Sequence, residues 1–591
     1  MKNWLVRLFA ALGVVFASLI IIAFIAYKFA GKRPLAKIEE NSILYVKLNG
    51  PIAEYQSTSF NLHSLFKESF LSLDNLLKAL EHAETDPKIS GVIFNTLAPE
   101  LGIAQAQELR NALIKFKKTG KFAYFFTDTF GEFSPDLLGY YFATAFDEIW
   151  LQPIGELNIT GVYTELPYIR KLLDQWNIVF QVEKREEYKS FLETYTNDHM
   201  SQASREELQQ ALGSIFDQMT QAIAQERKLE VNKIKEIINQ GPYSNPEHAL
   251  KMSLIDHVGY LDQLYEHAKE KTDGKAPLVP LAQYLKHIPE PISAPHKIAI
   301  IYGVGEIQRI KSTYSPLSNQ GSLTPEDMIE AVHEAIEDTE VEAIIFRINS
   351  PGGSPAASET ILRQVMRAKE KNIPVIVSMS DLAGSGGYWI AAYADKIVAQ
   401  PMTITGSIGV ISGKLSLEKF WPRFDVNWDS VGIGNNSDMW TMNKTYTEDQ
   451  LKKLAQSLDY IYANFKERVS KGRNLSPEQV EAIAKGRIWT GYDAKKLGLV
   501  DELGGLDKAL VLAKIEAKIP LTEKVDVVTY PLEKPLYVQL LEMLQGQENQ
   551  SYIASFMKPF KDVLAFCYAF IKQLTRSSIE VSMPEPVQHI R

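Results

Sequence analysis

The chain is written twice, so whatever architecture one half adopts the other must adopt too. Ser42 to Asn49 (SILYVKLN) and Lys297 to Gly303 (KIAIIYG) are matching apolar strand patterns, each followed by a polar loop and an amphipathic helix. Gly91 to Phe94 (GVIF) then matches Ala343 to Phe346 (AIIF), and Phe122 to Phe126 matches Val375 to Met379. Asp147-Glu148-Ile149 before Gln152-Pro153 repeats as Asp395-Lys396-Ile397 before Gln400-Pro401, and Thr160-Gly161 repeats as Thr405-Gly406. The halves also close alike, with Leu254-Ile255-Asp256, Gly259 and Leu261-Asp262 against Leu499-Val500-Asp501, Gly504 and Leu506-Asp507. Short apolar strands alternating with helices predict an α/β class, here as two tandem domains over 42–288 and 296–530. The joint falls in the proline-rich stretch Pro289 to Pro295.

Local signals support the helices. Leu73, Leu76, Leu77 and Leu80 follow the i, i+3, i+4, i+7 spacing of a core-facing stripe. Thr324, Pro325 and Asp327 form a start signal, with a hydroxyl cap, a proline at the first helical position and an acid at the third.

The two ends lie outside the repeats. Residues 1–33 contain Leu8 to Tyr27, a run of 20 residues without charge. That is enough helix for a bilayer core of roughly 30 Å, and it continues into Lys28, Lys32 and Arg33 without a small-x-small cleavage site. It reads as an uncleaved membrane anchor. Basic residues on both flanks leave the orientation open. The tail, 531–591, carries Phe560, Val563, Leu564, Cys567 and Ile571 on one helical face, too short to span a membrane and suited to docking within an oligomer. A net charge of −9 offers no basic footprint for nucleic acid, and the single cysteine removes any disulfide framework or cysteine-rich zinc site.

Where the halves differ, chemistry can hide. The second has Asn349-Ser350-Pro351-Gly352-Gly353 where the first has Leu97-Ala98-Pro99-Glu100-Leu101. It also has Ala383-Gly384-Ser385-Gly386-Gly387 where the first has Pro135-Asp136-Leu137-Leu138-Gly139. Ser385 should fall on a tight turn between a strand and a helix, with an exposed hydroxyl. Its glycines permit positive φ and close approach of a substrate, and free amides at the helix start can hold an oxyanion. The arrangement resembles a nucleophile elbow, although Ala383 replaces the first glycine of G-x-S-x-G.

Together with Ser378-Met379, Ser385-Gly386-Gly387-Tyr388-Trp389 and Thr405-Gly406-Ser407-Ile408-Gly409, these motifs make the chain resemble the signal peptide peptidase A (protease IV) family in its long two-repeat bacterial form. The resemblance spans the anchor, both repeats and the spacing between motifs. It implies a crotonase-like, Clp-protease-like α/β fold and a Ser-Lys dyad, with Ser385 as nucleophile and Lys189 of Tyr188-Lys189-Ser190 as general base. It further implies Ser407 as the residue orienting the lysine and Gly353 or Gly352 as the oxyanion glycine, joined by Gly386. Phe191-Leu192-Glu193-Thr194 departs from the usual Ala-Val-Glu-Pro after the lysine. Signal peptides and other hydrophobic peptides as substrates, a homo-oligomeric ring (a tetramer), and a bacterial inner-membrane protein with its catalytic domains in the periplasm are further implications. No metal or organic cofactor is called for.

The repeat alignment is consistent with complementary loss: Leu137 stands at the first half's serine position, and Gly432 to Asn436 at about the second half's lysine position. A lysine with a pKa near 10.4 is useless as a base at neutral pH, so burial must lower it to roughly 7 to 8, and Glu186, Glu187 and Glu193 should face away. Two other readings stay open: a Ser-His-Asp hydrolase using His199 or His333, and a catalytically idle membrane scaffold.

Overall fold

The computed structural model describes residues 37–56, 71–272, 274–289, 294–310 and 322–532. The expected anchor at 8–27, the tail beyond 532 and part of the proline-rich joint lie outside the described residues. Among the described residues, no helix is long and apolar enough to cross a membrane.

The first repeat contributes strands β1 (Ser42–Pro51), β2 (Ile89–Glu100), β3 (Phe122–Thr127), β4 (Glu148–Leu151), β5 (Val179–Arg185), β6 (His257–Val258) and β7 (Leu278–Pro280). The second contributes β8 (His296–Val304), β9 (Glu306–Ile307), β10 (Ser322–Leu323), β11 (Val341–Ser350), β12 (Val375–Gly384), β13 (Lys396–Ala399), β14 (Ile404–Gly406), β15 (Val410–Ser416), β16 (Ile488–Thr490), β17 (Glu502–Leu503) and β18 (Val525–Tyr530). The main sheets have the same order. One runs β6-β4-β3-β2-β1-β7, and the other β17-β13-β12-β11-β8-β18, all parallel. Even the register repeats, because Leu44 sits opposite Val92 as Ala299 sits opposite Ile344. The duplication is therefore structural as well as textual.

Parallel strands covered by helices on both faces must be apolar on both. Phe94, Phe125 and Phe142 pack on one face of the first sheet, and Ile93, Tyr124 and Leu264 on the other. Ile301, Phe346 and Val377 occupy the first face of the second sheet, with Ile300, Ile345 and Ile376 behind. The helices follow their signals: Leu73, Leu76 and Leu80 are buried on helix Leu73–Thr85. Thr324 caps helix Pro325–Glu337 by accepting from the Asp327 N–H.

Several contacts join the repeats. β5 leaves the first repeat and pairs antiparallel with β15 of the second, Val179 opposite Ser416 and Arg185 opposite Val410. Asp381, at the end of β12, accepts from the Ala104 and Gln105 N–H groups at 2.7 and 3.2 Å, capping helix Ile103–Lys117 of the first repeat. Arg347 is buried between Glu54 at 2.9 Å and Glu108 at 2.8 Å, both from the first repeat. A buried guanidinium between two carboxylates pairs each charge with its opposite, which burial would otherwise make costly.

Candidate active site

Two adjacent strands bring the serines together. β14 pairs with the last residues of β12, with Gly406 opposite Gly384, so the residues just beyond both strand ends are neighbours. Those residues are Ser385 and Ser407, with φ of +57° and +51°. Ser385 has ψ −118° and precedes helix Gly386–Ala391, its N–H donating to Gly406 O at 2.8 Å. A non-glycine residue held there stores strain of about 1–3 kcal/mol, which the surrounding hydrogen bonds must sustain.

The lysine arrives from the other repeat. After β5 the chain turns past the second repeat, where the Tyr188 N–H donates to Lys485 O at 3.1 Å. A Cβ on Gly486 (φ +80°) would stand 2.6 Å from Lys189 N, and one on Gly409 would stand 3.3 Å from Lys189 Cδ. Glycine is required on both walls of this slot. Lys189 Nζ then lies 2.7 Å from Ser385 Oγ, 3.0 Å from Ser407 Oγ and 3.1 Å from Ser407 O. All three residues come from one chain, and all are buried.

Burial controls the electrostatics. It lowers the Lys189 pKa from 10.5 to about 7, opposed in part by the negative charge available at Glu207. Glu207 is itself pushed up to about 8 by burial. Its carboxylate accepts from Ser190 Oγ at 3.1 Å and from the Ile488 N–H at 3.2 Å, tying the lysine's own segment to β16. Near neutrality the amine can therefore be uncharged, as a base must be.

The glycine turns meet beside the serine. A Cβ on Gly386 would lie 3.2 Å from both Gly352 Cα and Gly353 N. Gly353, at φ +149°, has its Cβ position 2.1 Å from Ile307 O, so a side chain is barred. The Gly352 N–H already donates to Ser350 Oγ at 3.2 Å, which makes Gly353 and Gly386 the better-suited pair of oxyanion donors.

The expected site residues Ser385, Lys189, Ser407, Gly352, Gly353 and Gly386 thus come together, with one correction. The Ser385 hydroxyl is not exposed: the residue is 0% accessible, because Lys189 and the β14 turn cover the elbow that local sequence left open. Glu193 faces away from the lysine, as expected. It is buried, but its carboxylate is turned to Lys184 at 3.0 Å and the Ser201 N–H at 3.3 Å, while the exposed Glu187 faces Lys485. Among the described residues no histidine hydrogen-bonds Ser385: His199 is exposed and His333 lies 4.0 Å from Glu337 on its own helix. Sequence reasoning missed Glu207 and Gly486, whose only advance signal is one acid among several on a helix and a Lys-Gly-Arg turn.

The first repeat keeps the helix but neither the elbow's strained turn nor its chemistry. Leu137 is buried at the start of helix Leu137–Ala143, where Asp136 accepts from the Gly139 N–H at 2.8 Å.

Comparison with known proteins agrees with this duplication. The family model for Peptidase family S49 matches residues 134–275 and 367–520, one stretch in each repeat. The chain is 30% identical over 504 residues to "Serine protease SPPA, chloroplastic" of Arabidopsis thaliana, covering 84% of this chain and 72% of that protein. It is 30% identical over 522 residues to "Protease 4" of Haemophilus influenzae, covering 83% and 82%. A shorter match, 34% identical over 31% of this chain and 53% of the other, is to "Putative signal peptide peptidase SppA" of Enterococcus faecium. Among solved structures, a point mutant of ClpP1 from Listeria monocytogenes matches 36% of this chain and 94% of its own at 17% identity, with a TM-score of 0.23. With a family match in each repeat and serine-protease relatives along most of its length, the chain belongs to Peptidase family S49 and is a serine protease.

Proposed function

We propose that this protein is a membrane-anchored endopeptidase that degrades remnant signal peptides after their release, with Ser385 as nucleophile and Lys189 as general base. The observation that carries the mechanism is the buried 2.7 Å contact between Lys189 Nζ and Ser385 Oγ. Neutral Lys189 takes the Ser385 proton as Oγ attacks the scissile carbonyl. The Gly353 and Gly386 amides hold the oxyanion, and Ser407 directs the amine through its Oγ and carbonyl. The C–N bond breaks as protonated Lys189 gives its proton to the leaving amine. Water then adds to the acyl-serine, with the same lysine as base, and restores both side chains. No residue in this cycle needs a metal.

The substrate reading draws on the name of the Enterococcus relative and on the apolar run at 8–27, which would hold the catalytic repeats at the surface of a bacterial inner membrane, facing the periplasm. The fold class is crotonase-like and Clp-protease-like, given twice. A homo-oligomer, taken as a tetramer, fits the apolar segment of the second repeat at about the position of β5 and the lysine turn, where Phe424, Trp428, Val431 and Ile433 are all exposed. Where β5 finds β15 within the chain, this segment has apolar surface to offer a second copy.

The test is cleavage of a synthetic signal peptide by wild type, Ser385→Ala, Lys189→Ala and the exposed control Lys171→Ala. Loss of at least about 10³-fold in the first two, with native circular dichroism, and none in the third is the expected result. Full activity in Lys189→Ala would end the dyad assignment. Cleavage of folded soluble proteins in preference to signal peptides would end the substrate assignment while leaving the dyad intact.

A further inference from the structure

On the far edge of the first sheet, away from the dyad, three potential ligands converge from three elements. Glu148 opens β4, His257 opens β6, and His267 lies on helix Leu261–Glu270. Glu148 Oε2 is 3.1 Å from His257 Nε2 and 3.1 Å from His267 Nε2, and all three ligand atoms lie within 4.8 Å of one another. Ligands held at about 2.0–2.1 Å around a tetrahedral ion stand roughly 3.3–3.4 Å apart, so these separations need only a small adjustment to enclose one.

The surroundings suit such a centre. The Trp150 ring stacks on His257 at 4.2 Å, holding the imidazole, and its Nε1–H donates to Glu148 Oε2 at 3.1 Å. Glu270 lies 3.7 Å from the opposite nitrogen of His267, where a carboxylate behind a metal-bound imidazole raises its basicity. His257 is 39% exposed and His267 26%, which leaves an entry path and a face open to a fourth ligand.

The duplicated repeat is an internal control. The equivalents of Glu148, His257 and His267 are Lys396, Glu502 and Leu512, which offer no such set. Lys396 and Glu502 are instead paired with Glu516 and Lys495, and Leu512 is buried in the core. The same sheet edge is therefore built without these ligands, so the scaffold does not require them.

We infer that Glu148, His257 and His267 form a binding site for one divalent transition-metal ion of the zinc class, which fastens the covering helix to the sheet edge of the first repeat. Two imidazoles and one carboxylate are a donor set zinc accepts, and a set with neither thiolate nor an all-oxygen cage disfavours copper(I) and calcium.

The test uses the untagged full chain, stripped with chelator and titrated with zinc or cobalt(II) alone. The expected result is one equivalent bound per chain, a visible cobalt(II) spectrum of tetrahedral type, and a zinc-dependent rise in the thermal midpoint. His257→Ala, His267→Ala and Glu148→Gln should each weaken binding at least about tenfold and abolish that rise, with unchanged circular dichroism in chelator. Should His267→Ala fail to fold, His257→Gln on the partly exposed edge strand carries the test. Absence of stoichiometric binding in the wild type, or equal affinity in the histidine variants, overturns the site.

Discussion

Lys189 is the residue on which the proposed chemistry turns, and its burial makes two predictions. Because its pKa is brought to about 7, kcat/KM should rise with pH along an acid limb centred near 7 and then level off. Glu207, pushed up to about 8 by burial, carries little charge through that limb, so Glu207→Gln should leave the limb in place. A shift of the limb to lower pH in that variant would show that Glu207 is ionised beside the lysine. Stability gives an independent reading. A lysine whose folded pKa lies below its unfolded value penalises the fold fully below about pH 7, and the penalty fades as pH rises towards 10.5. Lys189→Met should therefore raise unfolding stability by roughly 2–4 kcal/mol at pH 6, less at pH 9, while abolishing activity. Urea unfolding at the two pH values checks both the sign and the trend.

The two glycine turns and the strand ends behind them make the catalytic frame. Gly353 combines φ +149° with no room for a methyl group, since Ile307 O would be 2.1 Å away. Gly353→Ala should cost about 1–3 kcal/mol of stability and, by moving a proposed oxyanion donor, lower kcat by roughly 10²–10³ with a smaller change in KM. Gly486→Ala acts on the other side, pressing on Lys189 N and Cβ, and should lower kcat without touching a donor. Steady-state kinetics beside thermal unfolding separates the two effects. The counterpart helix of the first repeat begins one residue earlier, with Asp136 as its cap, so Leu137 takes the serine's place inside a helix and not on a positive-φ turn.

Neither repeat contains a whole site, so their junction matters as much as the dyad. Arg347 is the centre of that junction, held by Glu54, Glu108 and Ser378 Oγ at 2.9 Å. Arg347→Met would leave two buried carboxylates without their cation, at a cost of about 3–5 kcal/mol. Activity should fall with it, because the lysine and serine come from opposite sides. Replacing the trio together, by Arg347→Met with Glu54→Gln and Glu108→Gln, should recover much of the stability, since no charge is then stranded. Denaturant unfolding of the single and triple variants distinguishes a stranded charge from a damaged core.

The α/β class, the duplication and the position of Ser385 can all be read along the chain, because strand and helix periodicity and a glycine-flanked turn depend on near neighbours. The halves' differences point to Ser385, since a shared scaffold cancels what both repeats need for folding alone. Lys189 has no such local mark. One of 63 basic residues, it is reached only through family resemblance. What makes it able to serve as a base is the removal of water by a slot between Gly409 and Gly486, with its serine 196 residues away along the chain. Glu207, Arg347's partners and the Glu148–His257–His267 cluster are hidden from the sequence for the same reason. A charge's solvation and a ligand's partners are set by segments distant in sequence, and only folding brings those segments together.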